Sequence, residues 1–135
     1  MAKVVNINHI GIVVNDIEKS LQFWHDVLGI DLESFESVPS FNVDLAFLHI
    51  DKSRIELLKP TSTQNNEYYE LLQSRGSGFH HICLEVDNIN EMLEKLKSHN
   101  VKLKNETAIE LPGRKLAFLE PDGCDGVIVE LYELN

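Results

Sequence analysis

Length, composition and charge already exclude several classes of function. The 135 residues suffice for one domain with a buried core but not for two. With 43% hydrophobic and 25% charged residues, the chain has the composition of an ordinary globular protein rather than a disordered or fibrous one. The formal charge of −10, from 12 basic and 22 acidic side chains, argues against nucleic-acid binding, because phosphate backbones require clustered basic residues.

The cysteines and the short apolar runs predict a cytoplasmic protein. Cys83 and Cys124 form no Cys-x-x-Cys motif, and the first residues, MAKVVNINHI, lack the basic-then-apolar layout of a secretion signal. No apolar run approaches the roughly 20 residues that span a bilayer. We therefore expect a reducing compartment, with neither a membrane nor a nucleic acid as partner.

The first half of the chain, residues 1–58, predicts a βαβββ module. After a strand that includes His9, Asp16 is expected to start a helix, because its short side chain accepts hydrogen bonds from the free amides of a first turn. Apolar residues at helical spacing then form one stripe: Ile17, Leu21, Trp24 and Leu28. Gly29 suits the left-handed conformation that ends a helix. Three strands follow, in GIDL, FNVDLAFLHI and SRIELL.

The second half, residues 79–135, predicts a copy of that module. A polar connector, residues 59–78, precedes it and contains a short helix from Glu67 to Arg75 that ends at Gly76. In the copy, Asp87 is the expected helix start and Asn100 its end, with apolar residues between them at Ile89, Leu93 and Leu96. The strands of the copy are GFHHICLEV, NVKL, RKLAFL and VIVEL.

An internal repeat supports two equivalent modules. The segment NHIGIVVNDI aligns with HHICLEVDNI, so that His9 falls over His81 with an offset of 72 positions (81 − 9). The predicted fold class is therefore α+β in a single domain, residues 1–135: two paired βαβββ modules form a cupped eight-stranded mixed sheet, with the helices on the outside.

Strand alternation predicts which side chains face away from the helices. One face of each strand must be apolar to pack under a helix. That face takes the following residues: Ile10, Ile12, Val14, Ile55, Leu57, Ile82, Leu84, Val86, Val127, Val129 and Leu131. The opposite face then receives His9, Glu56, His81 and Glu130, with Cys83 beside them as a small residue that leaves space for a substrate. His80 points the other way and is expected to be a structural residue or to support a ligand.

Two imidazoles and two carboxylates on one face predict a metal site. If the modules are related by a pseudo-twofold axis, equivalent residues converge on that axis. Histidine suits zinc, nickel, cobalt or iron, and carboxylates extend the choice to manganese. The predicted cofactor is therefore one divalent ion held by His9, Glu56, His81 and Glu130, with two positions open for a substrate.

The same segments resemble the vicinal oxygen chelate superfamily, which includes glyoxalases and bleomycin-resistance proteins. HIGIVVNDI, IELLKP, GFHHICLEVDNI, KLAFLEP and GVIVELYE carry the resemblance over nearly the whole chain. Within the superfamily they are most similar to methylmalonyl-CoA epimerases and more loosely similar to glyoxalase I, the lactoylglutathione lyase. The resemblance implies paired modules around one metal ion, with ligands that match His9, Glu56, His81 and Glu130.

Two segments depart from the epimerase pattern. Epimerases of this kind usually carry a Val-Pro-Glu-Gln-like segment whose glutamate is one of two proton-transfer bases, whereas here Ser40 follows Val38 and Pro39. The segment EPDG, which starts at Glu120, replaces a His-Pro-Lys segment. The missing glutamate leaves Glu36 or Glu85 to supply any second base.

The expected activity is that of a metal-dependent epimerase or isomerase. A chelated ion stabilises the enolate that forms when an α-proton leaves, and Glu130 is the expected catalytic base. The substrate would be an acyl-CoA thioester such as methylmalonyl-CoA. Two alternatives stay open: glyoxalase I-like lyase chemistry on a glutathione adduct, and a non-catalytic ligand-binding protein of the same fold. A homodimer is expected, because such modules cover their sheet edges with a second copy.

Overall fold

Eight strands form one mixed sheet in the computed structural model, which describes all 135 residues. Their order in the sheet is β2-β3-β4-β1-β5-β8-β7-β6. The strands are β1 (Val4–Val13), β2 (Asp31–Val38), β3 (Val43–Ile50), β4 (Ser53–Pro60), β5 (Gly78–Val86), β6 (Ile109–Leu111), β7 (Arg114–Phe118) and β8 (Val129–Leu134). Pairing is parallel between β5 and β8 and antiparallel for β2–β3, β3–β4, β6–β7 and β7–β8. The predicted α+β class with an eight-stranded mixed sheet is confirmed.

Three α-helices complete the structure: α1 (Ile17–Leu21), α2 (Glu67–Arg75) and α3 (Ile89–Ser98). None of them has the length and apolar character needed to cross a membrane. By their contacts the residues fall into two compact units, Ile10–His80 and Met1–His9 with His81–Asn135. The limits of these units fall inside β1 and β5, so they differ from the sequence repeat, and the module boundaries at residues 58 and 79 stay a prediction.

In the unit Ile10–His80, α1 packs on a small apolar core. Val14, Ala46, Leu48 and Leu57 are its buried members, and Ile12, Ile17, Leu21, Trp24 and Ile55 pack against them. Asp16 caps the helix as predicted, since its carboxylate accepts a hydrogen bond of 3.1 Å from the amide of Lys19. The predicted faces of the first and fourth strands are thus confirmed at Ile12, Val14, Ile55 and Leu57.

The end of the first helix differs from the prediction at Leu28. Residues Gln22–Val27 form a π-helical turn, in which the amide of Leu28 donates to the carbonyl of Phe23, five residues earlier. This wider turn breaks the 3.6-residue period, so Leu28 leaves the buried stripe and is 50% exposed. Gly29 has the expected left-handed conformation, with φ of 76°. Apolar spacing alone cannot reveal an extra residue in a turn.

In the other unit, α3 covers the second strand face. Ile89 and Leu93 pack with Val86 and Leu131, and Leu84, Leu96 and Val129 lie against this core. The predicted helix start at Asp87 is wrong by one residue. The side chain of Asn88 accepts from the amide of Glu91 at 3.0 Å, whereas Asp87 accepts from the amide of Lys3. Both residue types can cap a helix, so composition does not distinguish them.

Two further predictions about strands are wrong. Ile10 is 36% exposed and belongs to neither apolar core, although alternation assigned it to a helix-covered face. The segment NVKL forms no strand: only Leu103 makes an isolated bridge, to Leu119, and the edge strand β6 begins at Ile109 instead. Asn100 ends the helix as predicted, with φ of 61°, and the chain then runs irregularly up to β6.

The connector helix α2 is confirmed with the predicted bounds, Glu67–Arg75. Its cap is Asn66, whose side-chain oxygen accepts from the amides of Tyr68 and Tyr69 and whose side-chain nitrogen donates to the carbonyl of Asn42. Gly76 follows the helix with φ of 83°. Strand β5, which carries His81, begins two residues after Gly76.

Candidate metal centre

Three of the four predicted ligands meet in one small cluster. His9 lies on β1, His81 on β5 and Glu130 on β8, and they are 0%, 1% and 4% exposed. The two imidazole Nε2 atoms are 3.1 Å apart. Oε1 of Glu130 lies 3.2 Å from Nε2 of His9 and 3.1 Å from Nε2 of His81. The three donor atoms therefore form a nearly equilateral triangle.

Strand register explains why these side chains meet. The parallel pairing of β5 with β8 sets Cys83 opposite Glu130, and His81 lies two residues earlier on the same face of β5. On the other side of β8, Glu130 pairs with Phe118 of β7. The ring of Phe118 contacts that of His81, and Tyr132 contacts His9, so aromatic rings surround the polar cluster.

The fourth predicted ligand, Glu56, belongs to the unit Ile10–His80. It lies on β4 opposite Phe47 of β3, and it is buried. Its neighbours in sequence, Ile55 and Leu57, pack on the α1 side, so its side chain has the predicted parity. Its role as a ligand stays a prediction.

The spacing of the three donors fits a divalent ion. Nitrogen and oxygen ligands lie about 2.0–2.2 Å from such an ion, so two ligands at right angles are about 3 Å apart and two at the tetrahedral angle about 3.4 Å. The observed separations of 3.1 and 3.2 Å match ligands on one face of an octahedron. Two imidazoles and one carboxylate are also a donor set that transition metals prefer. The residues present therefore fit the implied metal.

Cys83 is a possible donor that strand alternation placed on this face but did not identify as a ligand. Its thiol, Glu130 and His9 each offer a ligand atom, and these atoms lie within 4.8 Å of one another. Cys83 is fully buried. The thiol therefore lies beside the cluster, and the predicted space for a substrate at this position stays a prediction.

Electrostatics keep Glu130 ionised. Burial alone would raise its pKa, but hydrogen bonds from His81 and His9, together with the positive charge of both rings, outweigh burial and lower the pKa from 4.5 to about 2. A carboxylate that stays ionised at neutral pH can act as a metal ligand or accept a proton.

This lowered pKa predicts a change in acid stability for the metal-free protein. A group whose pKa falls on folding stabilises the folded state above its unfolded pKa, and that contribution is lost as pH falls towards the folded pKa. As the pH falls from 4.5 to about 2, the contribution of Glu130 to the free energy of unfolding should therefore decrease by about 3 kcal/mol. Urea unfolding of wild type and Glu130→Gln measures this contribution: the variant should be less stable at pH 5, and the difference should shrink towards pH 2.5. A constant difference would contradict the assignment.

The side chain of Asn8 holds His9 in place, a contact that strand alternation did not predict. Oδ1 of Asn8 lies 2.8 Å from Nδ1 of His9, and Nδ2 of Asn8 donates to Oε1 of Glu85 at 3.2 Å. Asn8 is buried although it is polar. A signal existed in the sequence, since an asparagine next to a predicted ligand can bond to the ligand's second nitrogen, but alternation assigns neighbours to opposite faces.

The candidates for a second base lie in different places. Glu85 is half-buried on β5 and bonds to Asn8. Glu36 pairs with Leu45 and lines a cavity of about 520 Å³ in the unit Ile10–His80, together with Phe35 and Lys59.

Two other residues singled out in the sequence have different surroundings. Ser40 is exposed in a 3-10 turn, Pro39–Phe41. His80, predicted to be structural, packs its ring 4.8 Å from that of Tyr68.

Comparisons with known proteins agree on fold and family. The model of the glyoxalase/bleomycin resistance protein/dioxygenase superfamily matches residues 8–118. Human mitochondrial methylmalonyl-CoA epimerase is 35% identical over 128 residues, which cover 94% of this chain and 73% of the human protein. A probable lactoylglutathione lyase from Synechocystis is 35% identical over 129 residues, 94% of each chain. The crystal structure of methylmalonyl-CoA epimerase from Mycobacterium tuberculosis superposes with a TM-score of 0.92 and 27% identity, covering 98% of this chain and 89% of that one.

Proposed function

The chain belongs to the glyoxalase/bleomycin resistance protein/dioxygenase superfamily, and from this premise we propose that it is a metal-dependent epimerase acting on methylmalonyl-CoA or a closely related acyl-CoA thioester. The observation that carries the proposal is the triangle of donor atoms from His9, His81 and Glu130. Epimerase relatives come from both the sequence comparison and the structure comparison, and they support this choice of substrate.

The proposed ligands are His9, Glu56, His81 and Glu130. The ion would be cobalt, nickel, zinc, manganese or iron, since imidazole and carboxylate donors accept all of these. When bound, the ion supplies positive charge that stabilises the negative charge developing on a thioester as its α-proton leaves. The aromatic rings of Phe118 and Tyr132 reduce water access around the polar cluster, which strengthens every charge interaction within it.

Glu130 is the proposed base for the α-proton. Its carboxylate stays ionised beside the two imidazoles, which is the state in which it can accept a proton. Epimerisation also requires a proton on the opposite face of the α-carbon. Glu36 and Glu85 are the two candidates for that role, and their glutamine variants separate them because only the true second base should block inversion while exchange at Glu130 continues.

Exchange of the α-proton tests the reaction itself. Cobalt-loaded protein, incubated with methylmalonyl-CoA in deuterated water, should incorporate deuterium at the α-carbon far faster than a matched incubation with His81→Ala, which reports the spontaneous rate. Mass spectrometry and proton NMR measure the incorporation. No exchange above the His81→Ala rate would contradict the proposal.

Glyoxalase I-like chemistry is the second candidate, favoured by the 35% identity to the probable lactoylglutathione lyase. It predicts thioester formation from methylglyoxal and glutathione by the same cobalt-loaded protein, followed by the ultraviolet absorbance of the thioester product.

We propose in addition a homodimer in the cytoplasm, consistent with two cysteines that form no disulfide. Light scattering of the purified protein measures the mass that distinguishes dimer from monomer.

A further inference from the structure

We propose that Asn8 and Glu85 are positioning residues that fix the tautomer and the ring orientation of His9 for metal binding; the inference rests on the proposed function, since it concerns the same metal ligand. Two hydrogen bonds join the side chain of Asn8 to Glu85 and to His9. Glu85 Oε1 accepts from Nδ2 of Asn8 at 3.2 Å, and Asn8 Oδ1 lies 2.8 Å from Nδ1 of His9. Asn8 and His9 are both buried.

The chemistry of the three groups places a proton on Nδ1 of His9. An ionised carboxylate is purely an acceptor, so Glu85 must face the amide nitrogen of Asn8. The amide oxygen of Asn8 then faces His9, and because a carbonyl oxygen can only accept, Nδ1 of His9 must carry a proton. When the ring carries a second proton, Nε2 donates to Glu130; when the ring is neutral with its proton on Nδ1, Nε2 holds a lone pair.

That lone pair points at the cluster. Nε2 of His9 is the atom 3.2 Å from Glu130 Oε1 and 3.1 Å from Nε2 of His81. A neutral ring protonated on Nε2 would have to move its proton before it could bind an ion, whereas a neutral ring protonated on Nδ1 binds the ion directly.

The carboxylate of Glu85 also disfavours the opposite orientation of the Asn8 side-chain amide. If the amide of Asn8 were rotated by 180°, its oxygen would face the oxygen of Glu85, and its nitrogen would face Nδ1 of His9. Two acceptors would then oppose each other in a half-buried place, which is unfavourable. Glu85 therefore selects the orientation of Asn8, and Asn8 selects the tautomer of His9.

Two variants and one paired substitution test the proposal. Asn8→Ala removes the acceptor of the His9 proton, so cobalt binding should weaken about 10- to 100-fold. Glu85→Gln allows either orientation of the amide and should weaken binding less. Asn8→Asp combined with Glu85→Gln retains both hydrogen bonds with donor and acceptor exchanged between positions 8 and 85, and it should restore binding to within about 3-fold of wild type. Asn90→Ala, on the exposed surface of α3, is the matched control and should bind cobalt as wild type does.

The tautomer itself is measured by nitrogen-15 NMR of the imidazoles in metal-free protein over a pH series and is read where the spectra show neutral rings. Wild type and the paired variant should hold the His9 proton on Nδ1, and Asn8→Ala should move it wholly or partly to Nε2. Cobalt affinity is measured by calorimetry, and circular dichroism verifies that each variant is folded.

A neutral His9 ring that carries its proton on Nε2 and not on Nδ1 in the wild type would overturn the proposal, whether or not Asn8→Ala folds. Equal cobalt affinity of wild type and folded Asn8→Ala would also overturn it. If wild type bound no cobalt at all, the proposed function would fail instead, and the tautomer spectra alone would decide the role of Asn8. The two failures are therefore distinguishable.

Discussion

Replacing His81 with alanine is expected to abolish tight metal binding and to lower kcat/KM for α-proton exchange by at least about 10³-fold. The physical reason is the geometry of the cluster, in which Nε2 of His81 is within 3.1 Å of both other donors. Alanine removes one corner of the triangle and leaves a cavity beside Phe118. Elemental analysis and the deuterium assay measure the two effects.

His99→Ala is the matched control for that experiment. His99 lies on the exposed surface at the end of α3, where its Nδ1 donates to the carbonyl of Lys95. Its removal should leave both metal content and exchange rate as in wild type. Retention of metal and activity by His81→Ala would refute the assignment of the cluster as the active centre.

Glu130→Gln is expected to have the second largest effect and to separate proton transfer from metal binding. Glutamine retains an oxygen that can bind an ion, but it cannot accept a proton from carbon. At saturating cobalt the exchange rate should fall about 10²- to 10⁴-fold, which corresponds to roughly 3–5 kcal/mol of barrier.

The control for this change is Glu94→Gln, which removes an exposed carboxylate that pairs only with Lys97 on α3. Rates are compared across a cobalt titration, so that weaker binding is not mistaken for slower chemistry. If Glu130→Gln regained the wild-type rate once cobalt saturated it, Glu130 would be a ligand only, and Glu36 or Glu85 would have to supply the base.

The sequence predicts the sheet and the cluster well because both depend on simple periodicity. Alternation in a strand is strictly two residues, so His81 and Glu130 are assigned to a face wherever an apolar face can be recognised. The internal repeat then relates His9 to His81 without any structural information. Alternation and the repeat both assign the face of the sheet on which a side chain lies, and in a strand the backbone alone determines that face.

Features that depend on local competition are predicted less well. Asp87 and Asn88 are equally good helix caps; in the structure Asp87 binds the amide of Lys3, and Asn88 caps the helix. One extra residue in the π-helical turn exposes Leu28, and no spacing rule anticipates it. Asn8 supports His9 through a side-chain contact between neighbours, which alternation assigns to opposite faces. Such contacts are set by side-chain torsions and not by the strand period.

A crystal structure of the cobalt-loaded protein, with anomalous diffraction at the cobalt edge, would locate the metal ion. We expect one anomalous peak about 2.0–2.2 Å from Nε2 of His9, Nε2 of His81 and a carboxylate oxygen of Glu130, with Glu56 as the fourth protein ligand. A protein that crystallises with cobalt bound elsewhere, or with the His9–His81–Glu130 triangle closed on itself and free of metal, would contradict it.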